Sequence, residues 1–272
     1  MNPLIIQLPG RVMQLPSKGV FYNGVLHEDV KDGEIHVKPM SALAELKMKN
    51  ADLLYSGKAV NEICRECIPE IKHPSKLLGK DVDAIFLFLQ LATFGAMRSI
   101  NSMHNCEKGS IHKHEINIEE IINNVNTAVL NNWTVLYENL ELSNGFKINI
   151  KPVLFSDSIE IMQLKYKLSE LGELGEHNNA NAHNVLEEIF IKDTLSIIKS
   201  VVTPTGTVVD NEEHIKEWIK TLSSSILKEI EQYNTAANTS WGYDFKVKLT
   251  CPDCGEKYDH DLDLNPVSFS NG

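Results

Sequence analysis

Phe245-Lys-Val-Lys-Leu-Thr-Cys251-Pro-Asp-Cys254-Gly255 runs an alternating strand into a Cys-Pro-x-Cys-Gly turn, and Tyr258-Asp-His-Asp-Leu-Asp-Leu264 leaves it as a second strand. This is the shape of a zinc knuckle. The proline fixes the turn, and the glycine lets the backbone curl so that amides face the two sulfurs. Two thiolates at this spacing can both reach one tetrahedral Zn²⁺ at about 2.3 Å. One knuckle supplies two ligands, so the remaining ligands must come from elsewhere in the chain.

Working back from the knuckle, the nearest echo lies mid-chain. A helix over 81–94, Gly95, a strand, Cys106, and a strand carrying His112 and His114 repeat the order helix, loop, strand, cysteine turn, strand with His260. The first copy is incomplete, because Cys106-Glu-Lys-Gly109 lacks the proline and the second cysteine. Cys106 is the leading third ligand, with His104, His112 or His114 beside it. The expected metal set is therefore Cys251, Cys254, Cys106 and His112. Each of these histidines, taken singly, reads as a surface residue sooner than as a ligand. A site so built would be a zinc ribbon closed between the two halves of the chain, stapling residues 95–115 to the C-terminus.

Cys64-Arg-Glu-Cys67 has the same spacing but falls inside a predicted helix, on the face that carries Val60, Ile63 and Ile68. Small buried hydrophobes are the expectation there. A redox thiol would need a helix N-terminus to depress its pKa, and Cys64 sits mid-helix.

The totals set the class. The chain has 272 residues, 42% of them hydrophobic, and a net charge of −11. That is enough for one large domain or two modest ones around a real core. The acidic balance disfavours nucleic acid as a partner, since phosphates would be repelled. Five cysteines are an odd number at low density, which points to a reducing compartment rather than a disulfide scaffold. Met1-Asn-Pro-Leu-Ile-Ile lacks the pattern of a signal peptide, and the run from Ala84 to Leu89 is too short to cross a bilayer. The expectation is a soluble product of a cytoplasm.

The periodicities predict an α+β fold, with mixed helices, short antiparallel strands and a zinc-ribbon-like knuckle at the C-terminus. Residues 4–8 and 33–38 read as strands. Helices are predicted over 41–49, 58–68 and 80–94, the last apolar on most faces and central to the N-terminal half. Strands at 97–103 and 113–118 precede a short helix over 119–125. Leu136–Leu142 and Phe146–Val153 alternate around Asn144-Gly145, a strong hairpin signal. Helices follow from Ser156 or Asp157 to Leu171, from Val185 to Val202 and from Glu212 to Leu222; Ser223–Ser225 either break the last or merely bend it, and the apolar side continues through Ile226, Ile230 and Tyr233. His177–His183 and Asn234–Ser240 read as polar loops. The expected domains are 1–128, an α+β domain with the degenerate cysteine knuckle, and 129–272, a hairpin, a helical segment and the C-terminal knuckle.

Signatures of catalysis are thin. The chain has no Gly-rich phosphate loop, no nucleophile elbow and no His-Glu-x-x-His. Glu187-Glu188 and Asp259, Asp261 and Asp263 are carboxylate-rich, but such spacing is common on solvated surfaces. No enzymatic activity is expected.

Three stretches taken in order carry a resemblance: Leu15-Pro-Ser-Lys-Gly-Val-Phe-Tyr22, the helix from Asp81-Val-Asp-Ala to Thr93-Phe-Gly95, and Cys251-Pro-Asp-Cys254-Gly with the later Leu262-Asp-Leu-Asn-Pro. The chain resembles the baseplate hub proteins of T-even-type contractile-tail phages over about 15–125 and 240–272. It departs from their pattern after Gly95, where the mid-chain knuckle is reduced to Cys106. The resemblance implies a structural role in the tail baseplate of a virion, assembled in the host cytoplasm. It also implies other baseplate and tail proteins as partners, with self-association compatible and neither nucleic acid nor membrane involved. A non-structural chaperone of hub assembly is the alternative. Leu15, Pro16, Phe21 and Tyr22 form the candidate docking arm. The competing reading packs that arm on its own domain.

Overall fold

Alternation at Met13, Ile35 and Val37 is what makes the first strand pair. β1 (Arg11–Gln14) and β2 (Glu34–Val37) run antiparallel with Met13 opposite Ile35, and all three apolar side chains are buried. The computed structural model describes residues 9–106, 109–173 and 179–264, so the expected strand at 4–8 lies outside the described residues. The described chain falls into two units. One is drawn from Met1–Pro74, Lys80–Thr127 and Gly242–Gly272, and the other from Ser75–Gly79 and Ala128–Trp241.

In the first unit, Ser41 and Asn50 cap α1 (Ala42–Met48) and α2 (Ala51–Tyr55) by accepting the backbone N–H three residues on. Helix α3 (Lys58–Cys67) starts after Gly57 and buries Val60, Ile63, Cys64 and Cys67 on one stripe. This is the face expected for the Cys64/Cys67 pair, and burial pushes both thiols up to about 12. Helix α4 (Gly79–Phe94) is buried nearly all round, with Val82, Ala84, Ile85, Leu87 and Phe88 fully enclosed. It is the core helix of the unit, as its apolar faces predict. Beyond it, β3 (Met97–Met103) and β4 (Ile111–Asn117) pair antiparallel, with Ser102 opposite His112 and Ile100 opposite His114. Asn117 then caps α5 (Ile118–Asn123).

The C-terminal segment completes this unit. Gly242 and Asn126 exchange backbone hydrogen bonds of 2.8 and 3.0 Å. β9 (Lys246–Thr250) and β10 (Lys257–Asp261) form the antiparallel pair read from the sequence, with Lys248 opposite Asp259 and Lys246 opposite Asp261. Opposite charges on facing positions support the pairing. They also give the aspartate row a structural use.

The second unit holds a four-stranded antiparallel sheet in the order β5 (Leu140–Glu141), β6 (Lys147–Ile150), β7 (Ile198–Val202), β8 (Val208–Val209). The Asn144-Gly145 turn is closed by the Gly145 N–H on the Leu142 carbonyl at 2.9 Å. The remaining helices are α6 (Thr134–Tyr137), α7 (Phe155–Glu173), α8 (Asn179–Ile197), α9 (Glu212–Lys220) and α10 (Ser224–Thr239).

Four expectations need correction. The strand expected over 136–142 is confined to Leu140–Glu141, since residues 134–137 are helical; there Tyr137 is fully buried and its hydroxyl accepts the Trp241 indole N–H at 2.8 Å. The helix predicted to Val202 stops at Ile197, where Ile198–Val202, with β-branched Ile198, Val201 and Val202, pairs with β6. At Ser223 the helix breaks rather than bends, the first of the two readings left open there; Ser223 caps a new helix, which runs through Asn234 to Thr239 where a loop was expected. Of the expected loop at 177–183, residues 179–183 open α8, and the rest lies outside the described residues.

Candidate metal centre

Two hairpins of the first unit bring their cysteines together. The chain leaving β3 carries His104 and Cys106, and the chain leaving β9 carries Cys251 and Cys254. At the second of these, the Cys251 N–H donates to the Glu256 carbonyl at 2.9 Å and the Gly255 N–H to the Cys251 carbonyl at 2.8 Å. Gly255 has φ +74°, where a side chain would be strained, which is why the turn ends on glycine.

The four ligand atoms of His104, Cys106, Cys251 and Cys254 lie within 4.8 Å of one another, an arrangement that could hold a metal ion. Cys106 Sγ is 4.0 Å from Cys251 Sγ, and Cys254 Sγ is 3.5 Å from His104 Nδ1. None of the chain's cysteines is in a disulfide. Cys251 is buried, His104 and Cys106 are half-buried, and Cys254 is exposed. The Glu256 backbone N–H bonds the Cys254 sulfur and favours its thiolate. Desolvation and the neighbouring sulfurs of Cys251 and Cys106 oppose this, and the net pKa lies above the ordinary value.

Around this cluster the side chains are ordered. The His104 ring stacks on Tyr258 at 4.7 Å between centroids, and its Nε2 faces the Glu256 carboxylate at 3.8 Å. Ser102 Oγ and Tyr258 OH are 2.5 Å apart, and Tyr258 OH is 3.4 Å from His114 Nε2. His112 Nε2 meets Asp253 Oδ2 at 2.9 Å, and these two with Cys251 make a second group of possible ligands. Arg98 donates from Nη2 to the Asp263 carbonyl at 2.8 Å and from Nη1 to Gln90 Oε1 at 3.3 Å, tying the segment after β10 to α4.

The structure thus gathers three of the four residues expected as ligands, Cys106, Cys251 and Cys254. It places His104 with them, while His112 sits against Asp253. The signal for His104 is its position: His104-x-Cys106 follows the end of β3 as Cys251-x-x-Cys254 follows the end of β9.

The candidate docking arm packs on its own unit. Leu15, Pro16 and Ser17 are buried, Phe21 and Tyr22 half-buried, and Val20 is exposed. Tyr22 OH donates to Asp81 Oδ2 at 2.5 Å. Glu187 and Glu188 line a solvent-open cleft of about 510 Å³ in the second unit, alongside Lys192, Lys216 and Lys220. No helix among the described residues is long and apolar enough to cross a membrane.

A family model described as T4 bacteriophage base plate protein matches residues 25–269. The chain belongs to that family of phage baseplate proteins, and membership implies other tail proteins as its partners. The match begins beyond the Leu15–Tyr22 arm. Searches of curated proteins and of solved structures found no match.

Proposed function

We propose that this protein is a structural subunit of the hub region of a contractile tail baseplate and works by protein–protein contacts rather than by catalysis. The family match over residues 25–269 carries the reading. The order of the hub-like stretches supports the hub assignment within it: the Leu15–Tyr22 arm, the α4 helix opened by Asp81, and the Cys-Pro-x-Cys-Gly knuckle. The protein is assembled in the host cytoplasm and carried in the virion tail. What the arm offers a partner is its exposed tip around Val20, since Leu15 and Pro16 are committed to the core.

We further propose that the cysteine–histidine cluster of the first unit binds a structural Zn²⁺. Three thiolates with one imidazole are soft donors that suit zinc, and four protein ligands leave no open position for a substrate.

Mass spectrometry of purified virions beside baseplate assembly intermediates tests the role. A fixed stoichiometry with tail proteins in both samples is the expected result. Presence on intermediates with absence from finished virions would replace the structural subunit by an assembly chaperone.

A further inference from the structure

We infer that His104, Cys106, Cys251 and Cys254 are the four ligands of one tetrahedral Zn²⁺, with His104 binding through Nδ1 and with His112 outside the coordination sphere. This rests on the zinc reading above and fixes which residues serve it.

The first argument is metric. Ligands around tetrahedral zinc stand about 3.8 Å apart for sulfur–sulfur and about 3.6 Å for sulfur–nitrogen, given its usual bond lengths. The Cys106–Cys251 edge is 4.0 Å and the Cys254–His104 edge 3.5 Å, so these side chains already stand at coordination spacing.

The second argument concerns the imidazole. A ligating histidine must present one nitrogen as a lone pair, and its other N–H normally meets a carboxylate or carbonyl that fixes the tautomer. His104 has this arrangement: Nδ1 faces the sulfur of Cys254, Nε2 faces Glu256 at 3.8 Å, and the ring is held flat on Tyr258. His112 has the opposite arrangement. Its Nε2 is turned to Asp253 at 2.9 Å, and β4 holds it opposite Ser102, inside the strand pair rather than beyond its end. Glu256 is therefore a positioning residue, and the His112–Asp253 pair flanks the site.

The consequence is a clasp. Cys106 and Cys251 are 145 residues apart in sequence, and one ion would join the ends of the β3–β4 and β9–β10 hairpins. A cross-link that closes so long a stretch removes much of the freedom of the opened chain, so metal binding and closure of this part of the unit are one equilibrium.

The test uses the full chain purified with Zn²⁺, with metal counted per chain, and the Co²⁺-substituted protein followed by its thiolate-to-metal charge-transfer absorption. Wild type and His112→Ala are expected to hold one ion each, and Cys251→Ser and His104→Ala to lose it. His104→Cys should keep the ion and raise the charge-transfer intensity by about a third, as a fourth thiolate replaces nitrogen. That variant and His112→Ala decide the matter should His104→Ala fail to fold. Glu256→Gln should weaken binding about tenfold without changing the count. Loss of the ion in His112→Ala, with its retention in His104→Ala, would overturn the ligand set while the zinc reading stands. Folded wild type holding neither Zn²⁺ nor Co²⁺ would overturn both.

Discussion

Asp81 shows what a single side chain does in this fold. Its carboxylate has no exposed surface and accepts the Ser17 N–H at 3.0 Å, the Ser17 hydroxyl at 2.5 Å and the Tyr22 hydroxyl at 2.5 Å. Burial drives its pKa up, and these three hydrogen bonds push the other way. The contact pins the Leu15–Tyr22 arm to α4, so Ser17→Ala and Tyr22→Phe should each lower the unfolding free energy by about 1–3 kcal/mol. Chemical denaturation, with a double-mutant cycle against Asp81→Asn, checks this. Both stretches were visible in the sequence, but their joining was not, because 59 and 64 residues separate the partners. Asp83, two residues on, is pushed up to about 6 from 3.8, chiefly by burial, with Lys80 opposing and Asp81 adding. The folded state therefore binds this proton more tightly than the unfolded one. Its stabilising contribution is complete below pH 3.8 and is lost as pH rises through about 6. Denaturation midpoints between pH 4 and 7 should carry this loss in wild type and lack it in Asp83→Asn.

At the scale of elements, caps and turns were the legible part. Ser41, Asn211 and the Asn144-Gly145 turn stand where their chemistry predicts. Ser223 was ambiguous in the sequence because an apolar stripe runs on both sides of it. In the structure its hydroxyl accepts the Ile226 N–H and starts α10 afresh. Ser223→Ala should cost about 1 kcal/mol, read from the thermal or denaturant midpoint. The run Ile197–Val202 misleads for a related reason. Its apolar residues fit the end of a helix or a buried strand, and only pairing with β6 decides. Gly33 is a sharper case. Its φ is +70°, and a Cβ there would lie 2.8 Å from the Lys18 Cα, backbone against backbone. Gly33→Ala should therefore destabilise the β1–β2 region markedly, by more than the roughly 1 kcal/mol of an ordinary glycine substitution, and the same measurement would show it.

For the whole molecule, the internal echo of helix, strand, cysteine and strand was the most informative feature of the sequence. It named Cys106 as the partner of the C-terminal knuckle, and the structure puts Cys106 Sγ 4.0 Å from Cys251 Sγ. It could not choose among His104, His112 and His114. That choice depends on where β3 ends and which face of β4 each ring takes, and strand ends are set by pairing rather than by local pattern. The proposed ion would join the β3–β4 and β9–β10 hairpins of the first unit, whose cysteines Cys106 and Cys251 are 145 residues apart in sequence. Hydrogen exchange on the full chain, with Zn²⁺ and after chelation, tests that account most directly. The account predicts that removing the metal strips protection from the amides of β9, β10 and the cysteine end of β3–β4, while β6 and β7 stay protected. Equal protection of β9 and β10 in both samples would contradict it.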